Sequence, residues 1–240
     1  MRFALRFIFV VGLGFLSACS TIPEGVAPDP RDPFEGFNRA VFEFNSEVDQ
    51  ALVKPVAQAY RRGVPIVVQD GVGNFFGNLE DVLTVLHHLL QAEAQRAFQT
   101  GFRVLLNSTV GVAGIWDPAT GLGISKTRED LGQTLGVWGF GAGPYLVLPL
   151  LGPSSLRDAT GRAVDTVVDP SNAWIASDNR VYAGALVLRV THTRAELLDL
   201  DSMLDSLSFD RYLTVRDAYL ARREHLIRNG PSADPKGVNQ

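Results

Sequence analysis

Residues 70–91, DGVGNFFGNLEDVLTVLHHLLQ, set Phe75, Phe76, Leu79, Val82, Leu83, Leu86, Leu89 and Leu90 at three- and four-residue steps. A run of this length on the 3.6-residue period predicts a helix with one apolar face. Moving outward, Phe34, Phe37, Val41, Phe44 and Val48 repeat the pattern, so a helix over 34–48 is expected to pack its phenylalanines in the core. Asp32 and Pro33 stand where a capping carboxylate and a first-turn proline would start it. A short helix is predicted around 55–61 and another over 93–107. Ser154 or Ser155 caps a helix running to about 168; residues 179–207 form one long helix or a broken pair, and 209–228 a last helix. Ile66 to Val68 is too short a β-branched run to carry a sheet. The fold class is mainly α: a compact multi-helix body.

One stretch departs from this pattern. Residues 131–156 contain no charged side chain, a length that would cross a bilayer as a helix. Gly132, Gly136, Gly139, Gly141 and Gly143 with Pro144, Pro149 and Pro153 argue against any helix here and require the chain to fold back on itself. Irregular backbone is excluded from open hydrocarbon. The segment is therefore a buried loop, a shallow interfacial segment or the wall of a sheltered passage. In the reading as a passage wall, Tyr145, Leu146, Val147, Leu148, Leu150 and Leu151 supply its apolar surface, and Arg157 a charge at its edge.

The 240 residues are 46% apolar and 20% charged, which excludes a disordered or fibrous chain. A net charge of -4 lacks the basic footprint of a nucleic-acid binder. The single cysteine forms no internal disulfide, and four scattered histidines offer little for zinc.

That cysteine lies at an informative place. Arg2 and Arg6 flank the start of an uncharged apolar run, and Leu16-Ser17-Ala18-Cys19 ends it. Residues 1–18 read as a secretory signal peptide, and the last four residues resemble a lipobox. Cys19 is then expected to carry a diacylglycerol and an N-acyl chain, several chains giving the stable anchoring that one does not. Ser20 after it, in place of Asp, points to the outer membrane. Residues 19–31, with Pro23, Pro28 and Pro30, read as an extended tether. The helical domain then spans 32–230, and 231–240 is a polar tail.

Catalytic and metal motifs are sparse. No G-x-S-x-G elbow occurs, and Gly152-Pro153-Ser154-Ser155 is better read as a helix start. Adjacent His87 and His88 point to different helix faces, one in the core and one at its edge. Asp199, Asp201 and Asp205 lack the glycine and terminal glutamate of a calcium loop and read as a solvated helix end. Arg211, Arg216, Arg222, Arg223 and Arg228 either meet anionic headgroups or pair with the interleaved Asp210, Asp217 and Glu224. Tyr60, Trp116, Trp138, Tyr145 and Trp174 fit a membrane-interface level as well as a core.

Taken in order, Asp32-Pro33-Phe34-Glu35-Gly36-Phe37-Asn38-Arg39, Lys54-Pro55-Val56-Ala57, Asn74-Phe75-Phe76-Gly77-Asn78-Leu79, residues 103–114, Gly132-Gln133-Thr134-Leu135-Gly136, Gly143-Pro144-Tyr145 and residues 152–158 resemble the MlaA (VacJ) family of outer-membrane lipoproteins. The resemblance implies a helical disc in the inner leaflet of the outer membrane, associated with trimeric porins and containing an amphipathic channel. It implies that mislocalised phospholipid is taken from the outer leaflet and handed to a soluble periplasmic carrier, which preserves lipid asymmetry. No nucleotide-binding loop is present, so such a conduit is passive and no catalytic residue is expected. A scaffolding lipoprotein is the alternative, but it has no need of a long uncharged segment.

Overall fold

The computed structural model describes residues 29–169, 178–201 and 209–229. The expected signal peptide, Cys19, most of the tether, Trp174, Asp205 and the polar tail lie outside the described residues.

The fold is mainly α-helical. Helix α1 (Glu35–Val48) runs through a π-helical turn, Asp49–Val53, into α2 (Lys54–Gly63). The long α3 (Ile66–Leu90) and α4 (Ala94–Thr109) form an antiparallel pair. A single turn, α5 (Pro118–Gly121), precedes α6 (Leu131–Val137). Strands β1 (Tyr145–Leu148) and β2 (Gly152–Ser155) then make an antiparallel hairpin with Tyr145 opposite Ser155 and Leu148 opposite Gly152. Helices α7 (Leu156–Val168), α8 (Asn179–Glu196) and α9 (Arg211–Asn229) complete the described chain. No described helix is long and apolar enough to cross a membrane.

Local chemistry accounts for several boundaries. Ser155 caps α7 by accepting the Asp158 N–H, as its sequence suggested, and Asp130 does the same for α6 through Gln133. Asp32 does not cap α1. Its carboxylate is buried, accepting from Asn38 Nδ2 at 2.8 Å and from the Tyr212 hydroxyl, and Phe34 stands at the cap position instead.

The expectation that residues 131–156 contain no helix is corrected by α6. Its glycines serve close approach: a Cβ on Gly161 of α7 would fall 2.5 Å from the backbone nitrogen of Gly132. Two small residues let these short helices touch backbone to backbone, and that packing offsets the weak helix propensity of glycine. The hairpin is also new, since β2 is Gly-Pro-Ser-Ser and shows no strand signature.

The apolar interior is small. Val41, Tyr145, Val147 and Tyr212 form one cluster, bordered by Phe42, Leu213, Tyr219 and Leu220. The Tyr145 ring meets those of Tyr212 and Tyr219 at centroid distances of 6.2 and 6.1 Å. Ala57, Ala195 and Leu198 form a second cluster beside Tyr60. Among the described residues, buried positions are more often polar or charged than apolar.

Candidate functional site

The α3–α4 pair sets the character of the molecule. On α3 the buried side chains include Gln69, Asn78, Asp81, Thr84, His87 and His88, and on α4 they are Ala97, Thr100, Arg103 and Asn107. The opposite faces expose Val82, Leu86, Leu89, Phe98, Phe102 and Leu105, Phe98 to 75%. These amphipathic helices are reversed relative to those of a water-soluble protein, which turn such faces inward. Large continuous apolar surface of this kind marks a binding or membrane face. Between the two helices lies a groove of about 420 Å³ lined by Val82, Val85, Phe98, Gly101, Phe102, Val104 and Leu105.

The same reversal holds in α1, where Phe34, Phe37 and Phe44 are exposed while Glu35, Asn38 and Val41 are buried. The phenylalanine spine expected in the core is therefore corrected: it faces outward, and the polar stripe of the same helix faces in.

Buried polar groups are tolerated only when they find partners, and here they form connected networks. Arg103 donates to Asp117 Oδ2 at 2.7 Å, to Thr120 Oγ1 at 3.1 Å and to the Ile124 carbonyl. Asp81 lies 3.7 Å from both Arg103 Nε and Lys126 Nζ, and burial outweighs those cations to push its carboxyl up to about 6. The end of the Lys126 side chain lies over Gly77, where a Cβ would have to displace its ammonium. His87 bridges Thr134 and Asp165 Oδ1, each at 3.1 Å, and His88 bridges Glu93 and Thr127, each at 2.9 Å. Both histidines are buried, which corrects the placement of one at the edge. Burial lowers the pKa of His88 despite its Glu93 partner. Burial also raises Glu129, whose Oε2 accepts from Gln91, to about 7. From α8, half-exposed Arg189 pairs with Glu80 of α3.

The hairpin carries the side chains singled out from sequence, and it separates them. Tyr145 and Val147 are fully buried in the first apolar cluster. Burial pushes the Tyr145 hydroxyl pKa well above its usual range. Leu146 and Leu148 are half-buried, while Leu150 and Leu151 are exposed at the tip. Leu150 adopts φ 63°, a left-handed conformation that a leucine rarely takes. It is held there by its N–H donating to Asn45 Oδ1 at 2.7 Å. Arg157 is buried in its side chain and spent on Asp158 and the Phe140 carbonyl, at 3.0 and 3.1 Å.

The cations of α9 divide in the same way. Arg223 is buried and joins Asp130 and Asp158 at 2.6 and 2.9 Å, and Arg216 joins Asp29 and Asp32 at 3.2 and 3.3 Å. Burial alone would raise Asp158, but the Arg223 hydrogen bond and charge hold it below the usual carboxylate range. Asp201, expected at a solvated end, is a buried hub for Arg194, Lys54 and Arg211.

Sequence reading missed the polar stripe of α3. Its signal was present, since Asn78, Asp81, Thr84 and His88 recur at three- and four-residue steps. Among the described residues no group of three His, Cys, Asp or Glu side chains is placed to hold a metal ion.

Known proteins resemble this chain in sequence and in fold. Residues 30–226 match the family described as MlaA lipoprotein. The chain is 38% identical over 210 residues to the intermembrane phospholipid transport system lipoprotein MlaA of Escherichia coli (strain K12), covering 85% of this chain and 81% of that protein. It is 29% identical over 213 residues to the protein of the same name from Haemophilus influenzae, covering 85% and 82%. A solved structure, described as the structural basis for maintenance of bacterial outer membrane lipid asymmetry, superposes with a TM-score of 0.72 at 35% identity, covering 82% of this chain and 99% of that one. By the length and identity of these matches, the chain belongs to the MlaA lipoprotein family.

Proposed function

We propose that this protein is an outer-membrane lipoprotein that removes mislocalised phospholipid from the outer leaflet and passes it to a soluble periplasmic carrier, maintaining lipid asymmetry. The observation that carries the reading is the reversed polarity of α1, α3 and α4. An apolar exterior is stable in hydrocarbon, and no described helix spans it, so the body sits within a leaflet. A phospholipid has the same two needs as the protein: its acyl chains require apolar surface and its headgroup requires polar partners. The α3–α4 groove supplies the first and the ion-paired interior the second.

The hairpin tip supports this reading. Left-handed backbone at a non-glycine residue costs about 1–3 kcal/mol, yet position 150 keeps a leucine that is 70% exposed. An apolar side chain held under strain and away from the core suits contact with lipid tails.

The proposal extends to the anchor and the partners. Cys19 carries the diacylglycerol and the N-acyl chain, the body faces the periplasm, and a trimeric porin stands beside it in the membrane. Transfer is passive and involves no bond cleavage. In a strain lacking the gene, phospholipid exposed on the cell surface is expected to rise and to return to normal on complementation, with no change in lysophospholipid. Unchanged surface phospholipid in the deletion strain would refute the transport reading in favour of a scaffold, and lysophospholipid made by purified protein would refute its non-catalytic part.

A further inference from the structure

The charge expected beside the hairpin, Arg157, is buried and spent on Asp158 and the Phe140 carbonyl. Further along α7, Arg162 is exposed and reaches the hairpin tip, where its Nη1 donates to the Leu151 carbonyl at 3.3 Å. No carboxylate among the described residues pairs with it. The acids of its own helix are committed elsewhere: Asp158 holds Arg157, Arg223 and the Tyr219 hydroxyl, and Asp165 holds His87 and the Leu131 N–H. Arg162 therefore keeps its whole positive charge, and all of its donor fork except the N–H on Leu151 is open.

The same contact fixes what lies beside that charge. Leu151 is exposed, and Leu150 next to it is held outward in its left-handed conformation. Asn45 ties the tip to α1 through the Leu148 carbonyl and the Leu150 N–H, while Arg162 ties it to α7 through Leu151. Two bare leucines and a guanidinium without a counter-ion are thus fixed side by side. A planar guanidinium matches the paired oxygens of a phosphate and carries the opposite charge. Inorganic phosphate would satisfy the arginine and leave the leucines uncovered; an uncharged glyceride would cover the leucines and leave the arginine unmatched. A phospholipid carries both complements in one molecule.

We propose that the hairpin tip binds a phospholipid, with the Arg162 guanidinium on its phosphate and Leu150 and Leu151 against its acyl chains. The inference rests on the lipid-transfer reading and gives it the headgroup contact that Arg157 does not supply. Recognition reaches no further than the phosphate, so anionic and zwitterionic glycerophospholipids are both accepted.

The test is calorimetric titration of the full chain, purified in a nonionic detergent, with dihexanoylphosphatidylglycerol, dihexanoylglycerol and inorganic phosphate. The phospholipid is expected to bind at least tenfold more tightly than either of the others. Arg162→Gln removes the charge and keeps an N–H donor; it should bring the phospholipid down to the affinity of dihexanoylglycerol and leave the latter unchanged. Leu150→Gly relieves the left-handed strain, so it should fold at least as well as wild type while weakening both lipids. Wild-type phospholipid affinity in Arg162→Gln at unchanged helicity would overturn the site. An equal loss for both lipids in that variant would also overturn it, leaving Arg162 only the task of pinning the tip, and equal affinity for inorganic phosphate would assign the arginine to the free ion. Binding is read here without membrane transfer. Unchanged surface phospholipid in the deletion strain therefore contradicts the transport reading alone, and an unaltered Arg162→Gln titration contradicts this site alone.

Discussion

Asn38 holds Val147: the buried Val147 N–H donates to Asn38 Oδ1 at 2.8 Å, and the Asn38 amide donates in return to the Tyr145 carbonyl at 3.0 Å. Two turns along α1, Asn45 repeats the arrangement with the Leu148 carbonyl and the Leu150 N–H, at 2.9 and 2.7 Å. The helix thereby completes the free edge of a two-stranded sheet with side-chain amides, and a hairpin that would be marginal alone becomes fixed. Asn38→Ala strands a buried N–H and a buried carbonyl, and each costs about 1–3 kcal/mol. We expect a loss of roughly 3 kcal/mol in chemical denaturation. A change below 1 kcal/mol would show that the hairpin does not depend on this clamp.

Glu129 links stability to pH. Its folded-state pKa of about 7 lies above the ordinary 4.5 because burial opposes ionisation. The folded state therefore binds the proton more tightly than the unfolded chain. The stabilisation is complete below pH 4.5 and is lost as pH rises through 7. Glu129→Gln removes the charge and keeps an acceptor. At pH 8 it is expected to stabilise by about 2–3 kcal/mol relative to wild type, and the gain should vanish near pH 4.5. Thermal midpoints across pH 4.5–8 check this, and a pH-independent difference would contradict it.

The α6–α7 crossing permits no added methyl. Gly161→Ala puts a carbon against the Gly132 backbone and should destabilise by about 1–3 kcal/mol, with Gly161→Val worse. Equal stability of the alanine variant in urea would show that the helices can separate at no cost.

Two hairpin positions separate folding from lipid handling. Val147→Asp buries an unpaired carboxylate in the tyrosine cluster and should abolish accumulation of the protein. Leu150→Asp alters an exposed tip; it should leave helicity intact by circular dichroism and raise surface phospholipid in cells. Normal lipid asymmetry in a folded Leu150→Asp strain would remove the tip from the route.

What the sequence disclosed follows from what periodicity measures. The stripe of Phe34, Phe37 and Phe44 located α1, and the leucine run located α3, each within a few residues of its observed bounds. A period carries no sign for the solvent, however. The same stripe faces a core in water and faces outward in hydrocarbon, so the helices were legible and their orientation was not. The hairpin escaped notice because Tyr145–Leu148 is only four residues long and is held by Asn38, while its partner strand is Gly-Pro-Ser-Ser, which has no β propensity. Glycine content concealed α6, since propensity says nothing of a neighbour that needs a bare Cα. Of the hairpin residues proposed for the lipid route, sequence found the segment but could not divide it: alternation within β1 sends Tyr145 and Val147 inward, and the turn sends Leu150 and Leu151 out.

The central claim is that the apolar exterior lies in hydrocarbon around a polar interior, and spin-label accessibility in reconstituted bilayers tests it most directly. Nitroxides placed on exposed Phe98 and Leu105 of α4 should relax strongly with oxygen and weakly with a water-soluble nickel chelate, while a label on exposed Arg61 of α2 should show the reverse. Equal nickel accessibility at all three positions would mean that the α3–α4 face is in water, and the reversed polarity would then need an explanation other than lipid.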